Sequence, residues 1–522
     1  MAQHVKPGSD SDQQQSSSDG ENAPHVRVAI LGAGFAGLGM AIRLKRQGYD
    51  DFLVIEREAS LGGTWNVNTY PGCACDIRSH LYSFSFAPNP DWTHAYPGQP
   101  EIKAYLCECA ERFGISPHLR LNTTLRAAAW DDTARRWRLA TSRGDLTADI
   151  LILGQGPLME PSLPAIPGIA DFAGVIFHSA RWNHDYDLTG KRVAVIGTGA
   201  SAVQFVPQIQ PKVSQLTLFQ RTPAWIVPRG DHPIPARQRS RYREVPLTQW
   251  MKRASLYWRH ELMGLGFCYW PRLLRAAEPL ARRYLASQVR DIGLRAKLTP
   301  LYRMGCKRVL VSDDFYPALT RPNVEVITEA IREVRAHSVV TATGREHPVD
   351  AIICGTGFHV TDTRFAADVR GRDGRSLADH WRDGPSAYLG ASVAGFPNLF
   401  LLTGPNTGLG SNSQVFMIEC LQTYTLECLR QMDQQGVECV EVRREAQRDF
   451  NAEVQRRMRR TVWLTGCHSW YLDAHGRNTT LWPGFTFLFW LRTRHFDPRP
   501  FTLTRRAALT PALSPTAPLP SQ

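Results

Sequence analysis

VAILGAGFAGLGMAIRLKRQGYDDFLVIERE, residues 28–58, decides the fold. A short apolar run meets a glycine-spaced turn, a helical pattern follows, and a second apolar run ends on Glu56. That order is a βαβ unit, with the glycines at the carboxyl end of its first strand. Gly32 permits the tight turn, Gly34 lets backbone approach a pyrophosphate, and Gly37 lets the helix pack closely on the strand. The phosphates would sit at the positive end of the helix dipole.

The plan recurs. RVAVIGTGASAVQFVPQIQPKVSQLTLFQR, residues 192–221, offers Gly197, Gly199 and Ala202 in the GxGxxA variant, with Thr198 and Ser201 inside the same cofactor-binding turn. The residue that ends each second strand tells the two units apart. Glu56 lies 24 residues after Gly32, and Arg221 lies 24 residues after Gly197. A carboxylate there accepts hydrogen bonds from a ribose diol and repels a 2′-phosphate, whereas an arginine offers that phosphate a charge-assisted fork. The first unit therefore suits FAD and the second NADPH. Two such sites in one chain imply hydride transfer from nicotinamide to flavin.

Outward from these units, the fold class is α/β, two Rossmann-like dinucleotide-binding domains with a helical insert. The expected division is a disordered tail over 1–24, FAD domain over 25–155 and 356–505, and NADPH domain over 156–235 and 301–355. A helical, arginine- and aromatic-rich insert occupies 236–300, and a flexible Pro/Ser-rich tail runs from 506 to 522. Residues 130–157 alternate like a small antiparallel sheet returning to a buried strand, and strands are expected again at 323–327, 349–354 and 398–403.

The chain has 522 residues, too many for one core, and 43% of them are hydrophobic and 21% charged, as in ordinary globular proteins. The net charge of +13 is carried mostly by arginine. No basic run interleaved with stacking aromatics marks a nucleic-acid site. No apolar run approaches the ~18–20 residues of a membrane span, and residues 1–24 do not read as a signal peptide. Eleven scattered cysteines suggest reduced thiols, so the expected location is cytoplasmic.

GGTWNVNTYPGCACD, residues 62–76, raises a different chemistry, because Cys73 and Cys75 are one residue apart beside a Pro-Gly turn. A flavin disulfide reductase needs a pair that bridges comfortably, and CxC strains the bridge. Cys107 and Cys109 are also CxC, on a helical pattern where they diverge. No second ligand pair supports a metal site, so both pairs read as packing residues.

FAGVIFHSARWN, residues 172–183, carries FxGxxxHxxxW just before the second glycine turn. It resembles the fingerprint of the flavin-dependent Baeyer–Villiger monooxygenases, in which Trp182 stands where N- and S-oxidising relatives carry Tyr or Phe. The chain departs from the pattern at Asn183, usually Pro or Asp. The family's longer pattern GxWxxxx(F/Y)PGxxxD is matched by Gly63, Trp65, Tyr70, Pro71, Gly72 and Asp76. MGCKRVLVSDDFYPALTRPNV (304–324), CGTGF (354–358), FPNLFLLTGPNTGLGSNS (396–413) and HSWY (468–471) resemble further family segments. Ser411 replaces a frequent family His. The likeness runs from about residue 26 to about residue 500.

The resemblance implies an enzyme in which NADPH reduces FAD, O₂ adds to the reduced flavin, and the peroxyflavin converts a ketone to an ester or lactone. It implies Arg308 as the catalytic cation and Asp76 as its counter-ion. Gly63, Thr64, Trp65 and Tyr70 would lie on the flavin side, with Asn412 in the returning segment. Arg221, Thr222 and Lys307 would hold the 2′-phosphate, and Trp470 would reach the NADP ribose or nicotinamide. His178 and Trp182 read as hinge residues beside a linker. Oxidation of S or N, or NADPH oxidation without oxygenation, stays open as an alternative. The substrate and the oligomeric state are not readable.

Overall fold

The computed structural model describes residues 23–360, 364–467 and 469–505. The tails expected over 1–24 and 506–522 therefore lie almost wholly outside the described residues, as does His468 of HSWY.

His25–Leu31 is the first strand because Val28, Ala29, Ile30 and Leu31 are apolar and buried on both faces. It pairs in parallel with Phe52–Ile55 and with Leu146–Leu153 in an eight-stranded sheet. The register sets Leu31 opposite both Ile55 and Leu153, so the chain leaves all three strands at the same edge. Gly32 turns there with φ +91°, and the helix Phe35–Arg46 follows. The meander expected over 130–157 is present: Leu125–Asp131, Arg136–Thr141 and Leu146–Leu153 are antiparallel neighbours. Leu399–Leu401 joins Leu146–Leu153 in parallel and returns residues 396–413 to the first glycine turn.

The second sheet has five parallel strands in the order Val324–Ile327, Gln215–Phe219, Arg192–Ile196, Ala351–Cys354 and Val175–His178. Gly197 turns with φ +104° into the helix Ala200–Ile209. Residues 236–300 form the helices Ala236–Glu244, Pro246–Gly264, Arg272–Gln288 and Ile292–Leu298, with a π turn at Leu265–Tyr269. Residues 331–348 form a small antiparallel sheet that periodicity did not announce. Its strands are only three to five residues long, too short to show a period.

Close packing at the first turn explains its glycines. A Cβ on Gly37 would lie 1.8 Å from the Gly32 carbonyl oxygen and 3.1 Å from Ile30 Cγ2. Neither a backbone carbonyl nor a strand side chain can yield that far. Gly37→Ala is therefore expected to lift the helix off the turn and to yield protein with little bound flavin, read as the ratio of flavin to protein absorbance after purification.

Candidate functional site

Residues 62–76 lie between the two dinucleotide units. Gly63 has φ +55°, and a Cβ on it would lie 2.9 Å from Gly34 Cα, so the loop packs directly on the first glycine turn. Thr64 then starts the short helix Thr64–Val67. Trp65 is buried, and its Nε1–H donates to the Tyr82 hydroxyl at 3.1 Å. At the far end the loop is stapled to the second unit. The Tyr70 hydroxyl donates to Gln204 Oε1 (2.9 Å), and Gln204 Nε2–H donates to the Ala74 carbonyl (2.9 Å). A Cβ on Gly72 would lie 2.8 Å from the Gln204 carbonyl oxygen, so glycine is needed there for the approach as well as for its φ of +78°. Gln204 was not a sequence candidate. Its half-buried position on Ala200–Ile209, facing the 70–76 loop, is visible only in three dimensions.

The loop ends on Asp76, and across the interface stands Arg308. Asp76 Oδ2 accepts from Arg308 Nε–H (2.9 Å) and Nη2–H (2.6 Å). The two residues come from positions 232 apart in sequence, and both are partly buried. The Asp76 carboxylate holds the Arg308 pKa above its ordinary value, outweighing the opposing effect of burial. Tyr471, missed in the sequence, is fully buried beside this guanidinium, and burial pushes its phenol up to about 12. It follows Trp470 directly in the HSWY segment. Trp470 itself is 45% exposed and packs on Tyr471 with ring centroids 4.4 Å apart.

The two cysteines of the loop are free and buried. Burial raises the Cys73 thiol to about 12 and the Cys75 thiol well above its ordinary value, so neither is a thiolate at neutral pH. Cys107 and Cys109 are also free. The expectation that all eleven thiols are reduced needs correction, because Cys306 and Cys467 form a disulfide. It joins segments 161 residues apart, immediately before Lys307–Arg308 and three residues before Trp470. Cysteine spacing could not show this, since the partners meet only when the second Rossmann unit and the C-terminal segment close together. Titration of the denatured protein is expected to find nine thiols without reductant and eleven with it. Cys467→Ser should lower Tm by several degrees; bridging so long a loop constrains the unfolded chain by up to about 5 kcal/mol in the chain-entropy picture.

The site residues fit the two dinucleotides. At the first turn, Glu56 is buried and fixed, its Oε2 accepting from Ala33 N–H (2.7 Å) and its Oε1 from Glu58 N–H (3.0 Å). Gln155 Oε1 beside that turn is buried without a partner among the described residues, an acceptor suited to a nucleotide. At the second turn, Thr198 Oγ1–H donates to the Thr222 carbonyl (3.2 Å), and the Ser179 hydroxyl donates to Ser201 Oγ (3.0 Å). Ala202 is fully buried; a Cβ on Gly355 would lie 3.3 Å from its Cβ, and one on Gly197 would lie 2.5 Å from the Gly355 carbonyl oxygen. Gly199 and Arg221 are exposed. Burial and the nearby Arg221 charge both lower the Lys307 pKa, and neither cation makes a salt bridge among the described residues. Two unneutralised cations side by side suit a phosphate.

Asn412 meets the insert through its side-chain amide. Its Nδ2–H donates to Glu261 Oε1 (2.7 Å) and its Oδ1 accepts from Ser413 N–H (2.8 Å), so the side chain is committed to the insert. Next to it, the Ser411 carbonyl accepts from His260 Nδ1 (2.7 Å).

The fingerprint residues stand at a seam. His178 is buried and neutral: its Nδ1 accepts from Ala180 N–H (3.1 Å), and burial pulls its pKa down to about 4. Its ring meets Phe358 edge-on at 5.6 Å, and its strand pairs with Ala351–Cys354 just before CGTGF. Trp182 packs on Phe205 at 5.3 Å, and Phe205 on Tyr70 at 6.2 Å, so the fingerprint touches the long pattern through one aromatic. Asn183 Oδ1 accepts from Asp185 N–H (3.1 Å) and closes the turn that the usual Asp or Pro would form.

The comparisons agree with this geometry. Residues 29–234 match the family model described as pyridine nucleotide-disulphide oxidoreductase. A Baeyer–Villiger monooxygenase of Streptomyces coelicolor is 52% identical over 92% of this chain and 93% of its own. One of Pseudomonas aeruginosa is 50% identical over 92% of each. The closed crystal structure of cyclohexanone monooxygenase superposes with a TM-score of 0.83 at 26% identity, covering 93% of this chain and all of that one. OTEMO in complex with FAD and NADP gives 0.83 at 27% identity, over 92% of this chain and all of its own. With half its residues shared over nearly its whole length, the chain belongs to the Baeyer–Villiger monooxygenases, FAD-containing and NADPH-dependent enzymes.

Proposed function

We propose that the protein turns a ketone into an ester or lactone, with Arg308 as the cation at the reacting atoms and Asp76 as the carboxylate that holds it. The observation that carries this reading is the two-donor contact of Arg308 on a single oxygen of Asp76, at the seam of the two dinucleotide units. When bound, FAD supplies two-electron transfer from NADPH and the activation of O₂.

The chain's own residues do the rest. Gly32, Gly34, Gly37, Gly63, Thr64 and Glu56 seat the pyrophosphate and ribose of FAD. Gly197, Thr198, Gly199, Ser201, Ala202, Arg221, Thr222 and Lys307 seat NADPH, and Trp470 covers its nicotinamide end. Addition to a ketone places negative charge on the former carbonyl oxygen. A guanidinium is protonated throughout and presents fixed donors to that charge. Asp76 restrains Arg308 on one edge and leaves the Nη1 edge for the substrate. Tyr471 backs the guanidinium from the protein side. In this reading the FAD domain comprises 25–155 and 356–505, the NADPH domain 156–235 and 301–355, and the insert 236–300 closes over them.

Incubation with NADPH, O₂ and a panel of linear and cyclic ketones tests the function, with products identified and counted against NADPH. Ester or lactone in proportion to NADPH is the expected result. Sulfoxide or N-oxide alone would assign the site to heteroatom oxidation, and hydrogen peroxide alone would assign it to NADPH oxidation.

A further inference from the structure

We infer that the outer face of the helical insert docks the protein on an anionic lipid surface. The helix Pro246–Gly264 buries polar side chains beside Leu256 and leaves a stripe of large apolar ones outside. Its buried positions include Gln249 and Glu261, and Gln249 Nε2–H donates to the Asn89 carbonyl (2.6 Å). Arg253 Nη1–H also points inward, donating to the His80 carbonyl (2.9 Å) and to Ser83 Oγ (3.1 Å). Leu247, Trp250, Met251, Trp258 and Leu262 are instead 56–66% exposed. At 100° per residue these five fall on one face, within about a third of the helix circumference. A helix of a globular domain normally turns such a stripe toward the core.

The stripe continues beyond this helix. Trp258 meets Phe487 at 6.1 Å, Phe487 stacks on Phe485 at 5.3 Å, and Phe485 meets Tyr269 at 4.8 Å. Tyr269 leads to the exposed Trp270 and Leu273 at the start of the next helix. Of the seventeen exposed large hydrophobic residues among the described ones, twelve belong to residues 236–300. Monomers rarely leave a contiguous apolar patch of that extent in water.

Charge selects the occupant. The insert carries fourteen Lys and Arg against four Asp and Glu, so ten of the chain's thirteen net positive charges fall within these 65 residues. Lys252 and Arg259 are exposed along one border of the stripe, and Arg272, Arg275, Arg282 and Arg283 are exposed on the following helix. A second copy of this face would set the same exposed cations, Lys252, Arg259, Arg272, Arg275, Arg282 and Arg283, against themselves. A nucleic acid would satisfy the cations but leave Leu247, Met251 and Leu262 against a polar backbone. An interfacial lipid layer takes both: Trp and Leu enter the headgroup boundary while Lys and Arg meet anionic headgroups. No described helix is long and apolar enough to cross a membrane, so the contact lies on the surface.

Cosedimentation of the flavin-loaded enzyme with vesicles tests this. Vesicles of phosphatidylglycerol mixed with phosphatidylcholine are compared with phosphatidylcholine alone, at low and high salt. Expected are pelleting with the anionic vesicles only, a blue shift of tryptophan emission, and release by salt. Two double variants, Trp250→Ser with Leu262→Ser and Arg272→Glu with Arg275→Glu, should each bind at least about tenfold more weakly, because each removes one of the two attractions. Their NADPH-driven flavin reduction should be unchanged, which shows that they fold. Binding to neither vesicle, equal binding to both, or unchanged binding by the variants would overturn the inference. So would a dimer in sedimentation velocity, or an oligonucleotide complex, that Trp250→Ser with Leu262→Ser abolishes.

Discussion

Arg308→Ala is expected to lose ketone oxygenation by at least about 10²–10³-fold, the usual cost of removing a fixed donor from developing negative charge. Reduction of the bound flavin by NADPH should survive, because hydride transfer between two cofactors does not need that charge stabilised. The distinction is measurable. Stopped-flow bleaching of the flavin without O₂ reports reduction, and product analysis with O₂ reports oxygenation. Asp76→Ala should show a milder form of the same phenotype, since the guanidinium remains but loses both contacts to Oδ2. Arg308→Lys should not restore wild-type rates, because a compact ammonium lacks the planar fork that lies along the Asp76 carboxylate with one edge while presenting the other to the substrate. Ester formation by Arg308→Ala at near wild-type rate would remove Arg308 from the reaction.

Arg221→Ala is expected to raise the KM for NADPH by about 10–100-fold, the equivalent of a charge-assisted hydrogen bond of about 1.5–3 kcal/mol. The KM for NADH should change little, because NADH has no 2′-phosphate to lose. The prediction rests on the paired cations at the second turn, where burial and the Arg221 charge both lower the Lys307 pKa. A carboxylate at the same point of the first unit makes the contrast internal to the molecule: Glu56 is bonded into its own turn, whereas Arg221 is exposed. Equal effects on NADPH and NADH would show that Arg221 serves the fold of its unit instead. Lys307→Ala should act in the same direction, and also tests the segment that the Cys306–Cys467 disulfide ties to the C-terminal region.

Most of the architecture was legible because it rests on local signals. A strand buried on both faces must be apolar throughout, a phosphate-binding turn must hold glycine, and the two together announce each Rossmann unit. The apolar runs at 323–327, 349–354 and 398–403 announce the strands Val324–Ile327, Ala351–Cys354 and Leu399–Leu401 for the same reason. What stayed hidden depends on contacts between distant segments. Cys306 and Cys467 carry no spacing that names them as partners. Gln204 looks like any polar helix residue until the 70–76 loop is laid across it. Tyr471 looks like a neighbour of the interesting tryptophan, and only the fold shows that it, not Trp470, is the buried one. Asn412 belongs to a motif by position, but its amide is claimed by Glu261 of the insert.

By itself the sequence determined the two dinucleotide units and the opposite charges that distinguish them, because turn geometry and the charge at the end of a strand are local properties of a few residues. The two-donor geometry of the Arg308–Asp76 pair that the resemblance implied, the seam that Gln204 and Phe205 make between the units, and the outward apolar face of Pro246–Gly264 were decided only by tertiary structure. The reason is physical. An amphipathic pattern says that one face of a helix is apolar, but which face meets protein depends on what the remaining chain packs against it. Here buried Gln249 and Glu261 claim the inside, and the tryptophans are left on the surface.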